Sequence, residues 1–115
     1  MTRRDDLALV VDLGTGGPKV GLVTLDGRLR GSGFRPVATT RAEGGRATQN
    51  AEQWWELVVD LAREGLSSPG IHRTSVAAVA VTGQWGSTVP VDALGRPVGP
   101  CRLFLDTRGA PHARA

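Results

Sequence analysis

The sequence predicts an α/β domain built on a mixed sheet, and three observations point there. Apolar segments at 7–13, 19–25 and 28–36, separated by glycine-containing turns, read as an antiparallel three-strand meander. Trp54, Leu57, Val58 and Leu61 recur at helical spacing and share one face of a helix. Ser75–Thr82 is apolar without alternation, as in a strand covered on both faces, usually a parallel one in a layered α/β structure.

In chain order, the apolar run Leu7–Val11 leads into Asp12-Leu-Gly-Thr-Gly-Gly-Pro-Lys19, and Val20–Leu25 leads out, so the glycine-rich turn joins strand to strand. A P-loop or a dinucleotide fingerprint would open a helix instead. Neither fits: Pro18 precedes Lys19, Val20 stands where a P-loop needs Ser or Thr, and the third fingerprint glycine is missing. Asp26-Gly27 is a two-residue hairpin signal, because both positions tolerate positive φ. The stretch 39–48, with Gly44-Gly45 and no periodicity, reads as a loop. A helix follows, with Asn50 as its N-cap and Gly65 as its C-terminal stop. Beyond the apolar strand, Thr88–Val91, a turn at Asp92–Gly95 and Cys101–Leu105 suggest further short strands. No closing element follows Thr107-Arg-Gly-Ala-Pro-His, which reads as a truncated domain. An incomplete sheet would leave an apolar face and an unpaired edge, and so predicts self-association.

The turn carries the chemistry. Glycines 14, 16 and 17 let the backbone take positive φ and let amides approach an anion with no Cβ in the way. Thr15 adds a hydroxyl donor, and Lys19, the chain's one lysine, a cation. Asp12 repels phosphate directly, so a carboxylate here implies an intervening Mg²⁺ or a magnesium-bound water. The competing reading is a glycine-rich hairpin with an exposed aspartate and lysine.

Composition narrows the remaining classes. With 115 residues, 40% of them apolar and 22% charged, the chain is one ordinary globular domain at most, 1–115. The formal charge of +3 comes from scattered arginines, which argues against a nucleic-acid surface. A single cysteine, Cys101, and two distant histidines give neither a disulfide nor a zinc spacing. The first apolar stretch ends at Asp12, too short for a signal sequence or a membrane span, so the expected location is cytoplasmic.

Four blocks, in order, resemble the N-terminal part of the FGGY carbohydrate kinases, the family that holds xylulokinase, glycerol kinase and gluconokinase. They are Asp12–Lys19, Gln49-Asn-Ala-Glu-Gln-Trp-Trp55, Val81-Thr-Gly-Gln-Trp85, and Asp92-Ala-Leu-Gly-Arg-Pro-Val98 leading into Leu105-Asp-Thr-Arg108. The resemblance implies a ribonuclease H-like fold of the actin, hexokinase and Hsp70 ATPase superfamily. It implies transfer of the ATP γ-phosphoryl group to a hydroxyl of a sugar or polyol, xylulose-like among the candidates, with Mg²⁺. Asp12, Gly14, Thr15, Gly16 and Lys19 would then line the phosphate side, with Asp12 reaching the metal through water. Gln84 and Trp85 would face the sugar, and Asp106 and Arg108 would border that pocket. The sequence also departs from the family: pentulose kinases continue Thr-Gly-Gln with Met-His-Gly where this chain has Trp85-Gly86-Ser87, and the family's Asp-Pro helix entry is Asn50-Ala51. The proton-accepting aspartate and the adenine-binding domain are expected downstream, which leaves this chain catalytically incomplete on its own. A non-catalytic sugar- or phosphate-binding module, or a relic, is the alternative.

Overall fold

The computed structural model describes residues 6–113. Strands β1 (Leu7–Gly14), β2 (Gly17–Thr24) and β3 (Leu29–Phe34) form the expected meander. Later in the chain, β6 (Val76–Gly83) adds parallel to β1, giving a mixed sheet of order β3-β2-β1-β6. In the β1–β2 ladder Asp12 lies opposite Lys19 and Gly14 opposite Gly17. At the next hairpin Gly27 takes φ 92°, and its amide donates to the Thr24 carbonyl at 2.8 Å.

Between β3 and β6 the structure departs from the expected loop at 39–48. That segment forms β4 (Thr40–Ala42), a 3-10 turn (Glu43–Gly45) and β5 (Arg46–Gln49), and with β7 (Cys101–Arg102) it makes a second sheet of order β4-β5-β7. Strands this short and polar show no period of two, and their order comes from pairing with residues some fifty positions away. The expected strand at Cys101–Leu105 shrinks to its first two residues, because the chain turns where the Asp106 amide donates to the Leu103 carbonyl at 2.9 Å. Thr88–Val91 makes only isolated bridges, to Arg102 and Pro97. Pro90 has no N–H to extend a ladder. The turn at Asp92–Gly95 forms as expected, its carboxylate accepting from the amides of Leu94 and Arg96.

Helix α1 (Ala51–Leu66) starts at Asn50, whose side chain accepts the Glu52 amide at 3.0 Å. Gly65 does not stop it. The helix runs to Leu66 and is closed by Ser67, whose amide donates to the carbonyls of Arg63 and Glu64, and Gly65 has no positive φ. A Cβ on Gly65 would sit 3.5 Å from Leu22, an ordinary contact distance. Leu61, 3% exposed, packs with Val11 and Val20 into a first core, with Val58 and Ala62 beside it. A second, smaller core joins Ala47, Cys101 and Leu103 and takes in the Trp54 ring.

β6 contradicts the expectation of a strand covered on both faces. Its residues after Val76 are exposed, with Val79 and Val81 each 64% so. Helix α1 packs chiefly on β2 and β3 and leaves an apolar trough of about 370 Å³ over β1 and β6, walled by Trp54, Trp55, Val58, Val79 and Val81. The radius of gyration, 17.2 Å, exceeds the roughly 13 Å of a compact domain this long. Apolar composition gave this strand its parallel place beside β1 but supplied no cover for it.

Candidate functional site

The β1–β2 turn is strand, turn, strand. Of its glycines only Gly17 has positive φ, 140°, so the expectation of positive φ at Gly14 and Gly16 does not hold. A Cβ on Gly17 would fall 2.0 Å from the Arg35 carbonyl oxygen, whereas one on Gly16 would meet nothing within 4 Å. Gly17 therefore lets the backbone after β3 close against the turn, where the Val37 amide donates to the Gly16 carbonyl at 2.9 Å. Gly16 itself is an exposed tip, open to an approaching anion.

Leu9, Val11 and Leu13 pack toward α1, so alternation places Asp12 on the opposite face. Lys19 and Thr82 stand beside it there in the register. Lys19 Nζ lies 4.0 Å from Asp12 Oδ2, and both side chains are largely exposed. Such a pair contributes little to stability, so both groups stay available to a ligand. Among the described residues no three His, Cys, Asp or Glu side chains cluster to hold a metal. A single carboxylate beside an open glycine-containing turn nevertheless suits Mg²⁺, which is commonly held by one or two carboxylates, waters and the phosphates themselves.

Gln84 follows β6 and reaches back to this turn: its Nε2 donates to the Gly14 carbonyl at 3.4 Å and to Gln49 Oε1 at 3.2 Å, and its Oε1 accepts from Ser87 Oγ at 2.8 Å. The structure thus joins the predicted phosphate-side and sugar-side residues through one amide. Trp85, next in sequence, is 86% exposed and presents its ring to solvent.

Asp106 and Arg108 line an opening of about 580 Å³ together with Gly86, Thr88 and Arg102. Asp106 is not a loose surface charge, since its side chain is 5% exposed. Oδ2 accepts from the Ala47 amide at 3.1 Å and from Arg108 Nη2 at 2.7 Å, and Oδ1 accepts from Arg108 Nε at 2.9 Å. The bonded guanidinium, with the amides of Ala47 and Arg108, holds the Asp106 carboxyl well below the usual carboxylate range despite its burial. The same bond raises Arg108. Asp106 is thus a clamp on β5, and Arg108 and Arg102 bring guanidinium groups to the opening.

The family profile described as "FGGY family of carbohydrate kinases, N-terminal domain" matches residues 7–115. The chain belongs to that family. It is similar to the xylulose kinase of Streptomyces coelicolor, 37% identical over 107 residues that make up 93% of this chain and 19% of that protein. Among solved structures, that of a xyloylose kinase from Brucella ovis superposes with a TM-score of 0.85 at 24% identity, over 93% of this chain and 22% of that one. Plasmodium falciparum glycerol kinase with ADP superposes with a TM-score of 0.76 at 16% identity, over 93% and 22%. The ribonuclease H-like fold expected from the resemblance therefore holds. The chain spans about a fifth of the length of the curated relatives it matches. Among the described residues no helix is long and apolar enough to cross a membrane.

Sequence reasoning missed Gln49 and Ser87 as parts of the site. Gln49 stood inside a recognised block, but nothing in the linear pattern marks it as buried, and its partners come from four other segments.

Proposed function

We propose that this chain is the phosphate- and substrate-facing part of a cytoplasmic, ATP-dependent carbohydrate kinase that transfers the γ-phosphoryl group to a hydroxyl of a sugar or polyol. The observation that carries this reading is the open Gly16 tip, with Asp12 and Lys19 paired loosely on one face beside it. The Thr15 and Gly16 amides at the tip of the Gly14–Gly17 hairpin and the Thr15 hydroxyl would meet phosphate oxygens, Lys19 would offset their charge, and Asp12 would hold Mg²⁺ through a water. Positioning and charge compensation of this kind are what the protein supplies in phosphoryl transfer.

On the sugar side the hydrogen bonds limit what Gln84 does. Both donors of its amide have partners, so toward a sugar it offers an acceptor lone pair on Oε1, suited to a donating hydroxyl. Trp85 offers an apolar ring face, and Arg108 a guanidinium at the rim of its own opening. With Trp85-Gly86-Ser87 in this position, a pentulose such as xylulose is recognised without a histidine. The proton-accepting aspartate and the adenine site are assigned to the part of the relatives' length that this chain does not span.

Titrating the chain with D-xylulose, glycerol and gluconate while following tryptophan fluorescence tests the reading. A saturable change with one of them that Trp85→Phe abolishes is expected. A response to Mg²⁺-tripolyphosphate with none to any sugar or polyol would favour a phosphate-binding module instead.

A further inference from the structure

Gln49 is 2% exposed, and its side chain uses its whole hydrogen-bonding capacity. Nε2 donates to the Thr15 carbonyl at 2.7 Å and to Thr39 Oγ1 at 3.0 Å, and Oε1 accepts from Trp54 Nε1 at 3.1 Å and from Gln84 Nε2 at 3.2 Å. An amide has two donors and two acceptor positions, and here all four are filled. The indole N–H can only donate and the Thr15 carbonyl can only accept, which leaves the amide a single workable orientation. Five segments therefore meet at this residue: the β1–β2 turn, the stretch before β4, β5 itself, the start of α1 and the end of β6. None of them is held to the others there by apolar packing alone.

We infer that Gln49 is a positioning residue that ties the phosphate-facing turn to the sugar-facing Gln84, so that the spacing of the two substrate sites is set by one buried amide. The inference rests on the function proposed above. The chain of bonds is continuous: Thr15 carbonyl, Gln49 amide, Gln84 amide, Ser87 hydroxyl, with Gln84 also returning to the Gly14 carbonyl at 3.4 Å. A fully satisfied buried network of this kind permits one arrangement and penalises any with an orphaned group. Gln49 touches neither substrate. It fixes the carbonyl direction of Thr15, and with it the aim of the turn's amides. It also takes up one Gln84 donor, which leaves the Gln84 oxygen directed at Ser87 Oγ.

The test compares Gln49→Ala with Leu22→Ala, a core variant in β2 chosen to lose stability without touching the network, in the ¹⁵N-labelled chain. Affinities for Mg²⁺-tripolyphosphate and for D-xylulose are read from amide shifts. The inference expects Gln49→Ala to weaken both by at least tenfold, and Leu22→Ala to leave both within twofold. Equal affinities in the two variants, or a loss for one ligand alone, would overturn it. If the unaltered chain binds neither ligand, the kinase reading is at fault, and hydrogen exchange decides instead. Exchange at the β1–β2 turn and at the segment around Gln84 should then accelerate tenfold more in Gln49→Ala than in Leu22→Ala, and equal exchange in the two variants counts against the tie.

Discussion

β2 and β6 flank the same strand, each eight residues long and each largely apolar, yet they end in opposite environments. β2 lies under α1, with Val20 and Leu22 buried, while β6 leaves Val79 and Val81 bare. Apolar sequence reports the cover a strand is built to receive, and only geometry tells whether this stretch of chain delivers it. The β1–β2 turn, proposed to face phosphate, belongs to the covered side, so its shape is set by well-packed neighbours, whereas Gln84, proposed to face the sugar, follows the uncovered strand and is hydrogen-bonded to Gln49.

The contrast breaks first if equivalent truncations on the two strands' faces behave alike. Leu61→Ala, which empties the core over β2, should cost about 2–5 kcal/mol in chemical denaturation. Val81→Ala on the bare face should stay within about 0.5 kcal/mol. Similar losses would mean that β6 is covered after all.

A smaller effect separates the turn's own glycines. Gly17→Ala sets a Cβ against the Arg35 carbonyl at a φ that side chains avoid, and should cost on the order of 2–3 kcal/mol. Gly16→Ala meets nothing within 4 Å and should stay within about 0.5 kcal/mol by the same chemical denaturation.

Asp106 sharpens the comparison through pH. Its carboxyl is depressed in the folded chain by Arg108, so its contribution is fully present above the ordinary aspartate value of about 3.9 and is lost as pH falls through the lower folded value. Acid titration of stability should therefore slope downward below about pH 4 in the unaltered chain and less so in Asp106→Asn. Identical slopes would mean that the clamp on Ala47 contributes nothing.

The smallest change in fold stability, with a visible change in association, is expected from Val79→Lys. A charge on the exposed edge strand should lower any concentration-dependent sedimentation of the chain while leaving its melting temperature nearly unchanged. Unchanged sedimentation would show that self-association does not run through β6.

Much of the first sheet was legible because each signal was local. An apolar run marked β1, apolar segments on either side of Asp26-Gly27 marked β2 and β3 and their hairpin, and Asn50 marked a cap, and all of these formed. The second sheet was not legible, since β5 is ordered by β7 and by the Asp106 carboxylate, which takes the Ala47 amide from fifty-nine residues away. Gly65 misled as a stop signal because it keeps helical backbone and the cap is supplied further on by Ser67. At the site, Asp12 and Lys19 were read from spacing and do face each other across the ladder. The Gln49 network escaped because hydrogen-bond saturation is a property of assembled segments.

A ¹⁵N amide titration of the chain with Mg²⁺-ATP tests the account most directly. The largest shifts should fall on Gly14, Thr15, Gly16 and Gly17 and extend to Lys19, and Asp12→Ala should weaken them at least tenfold when Mg²⁺ is present. Shifts confined to other segments, or none at millimolar nucleotide, would contradict the assignment of this turn to a phosphate.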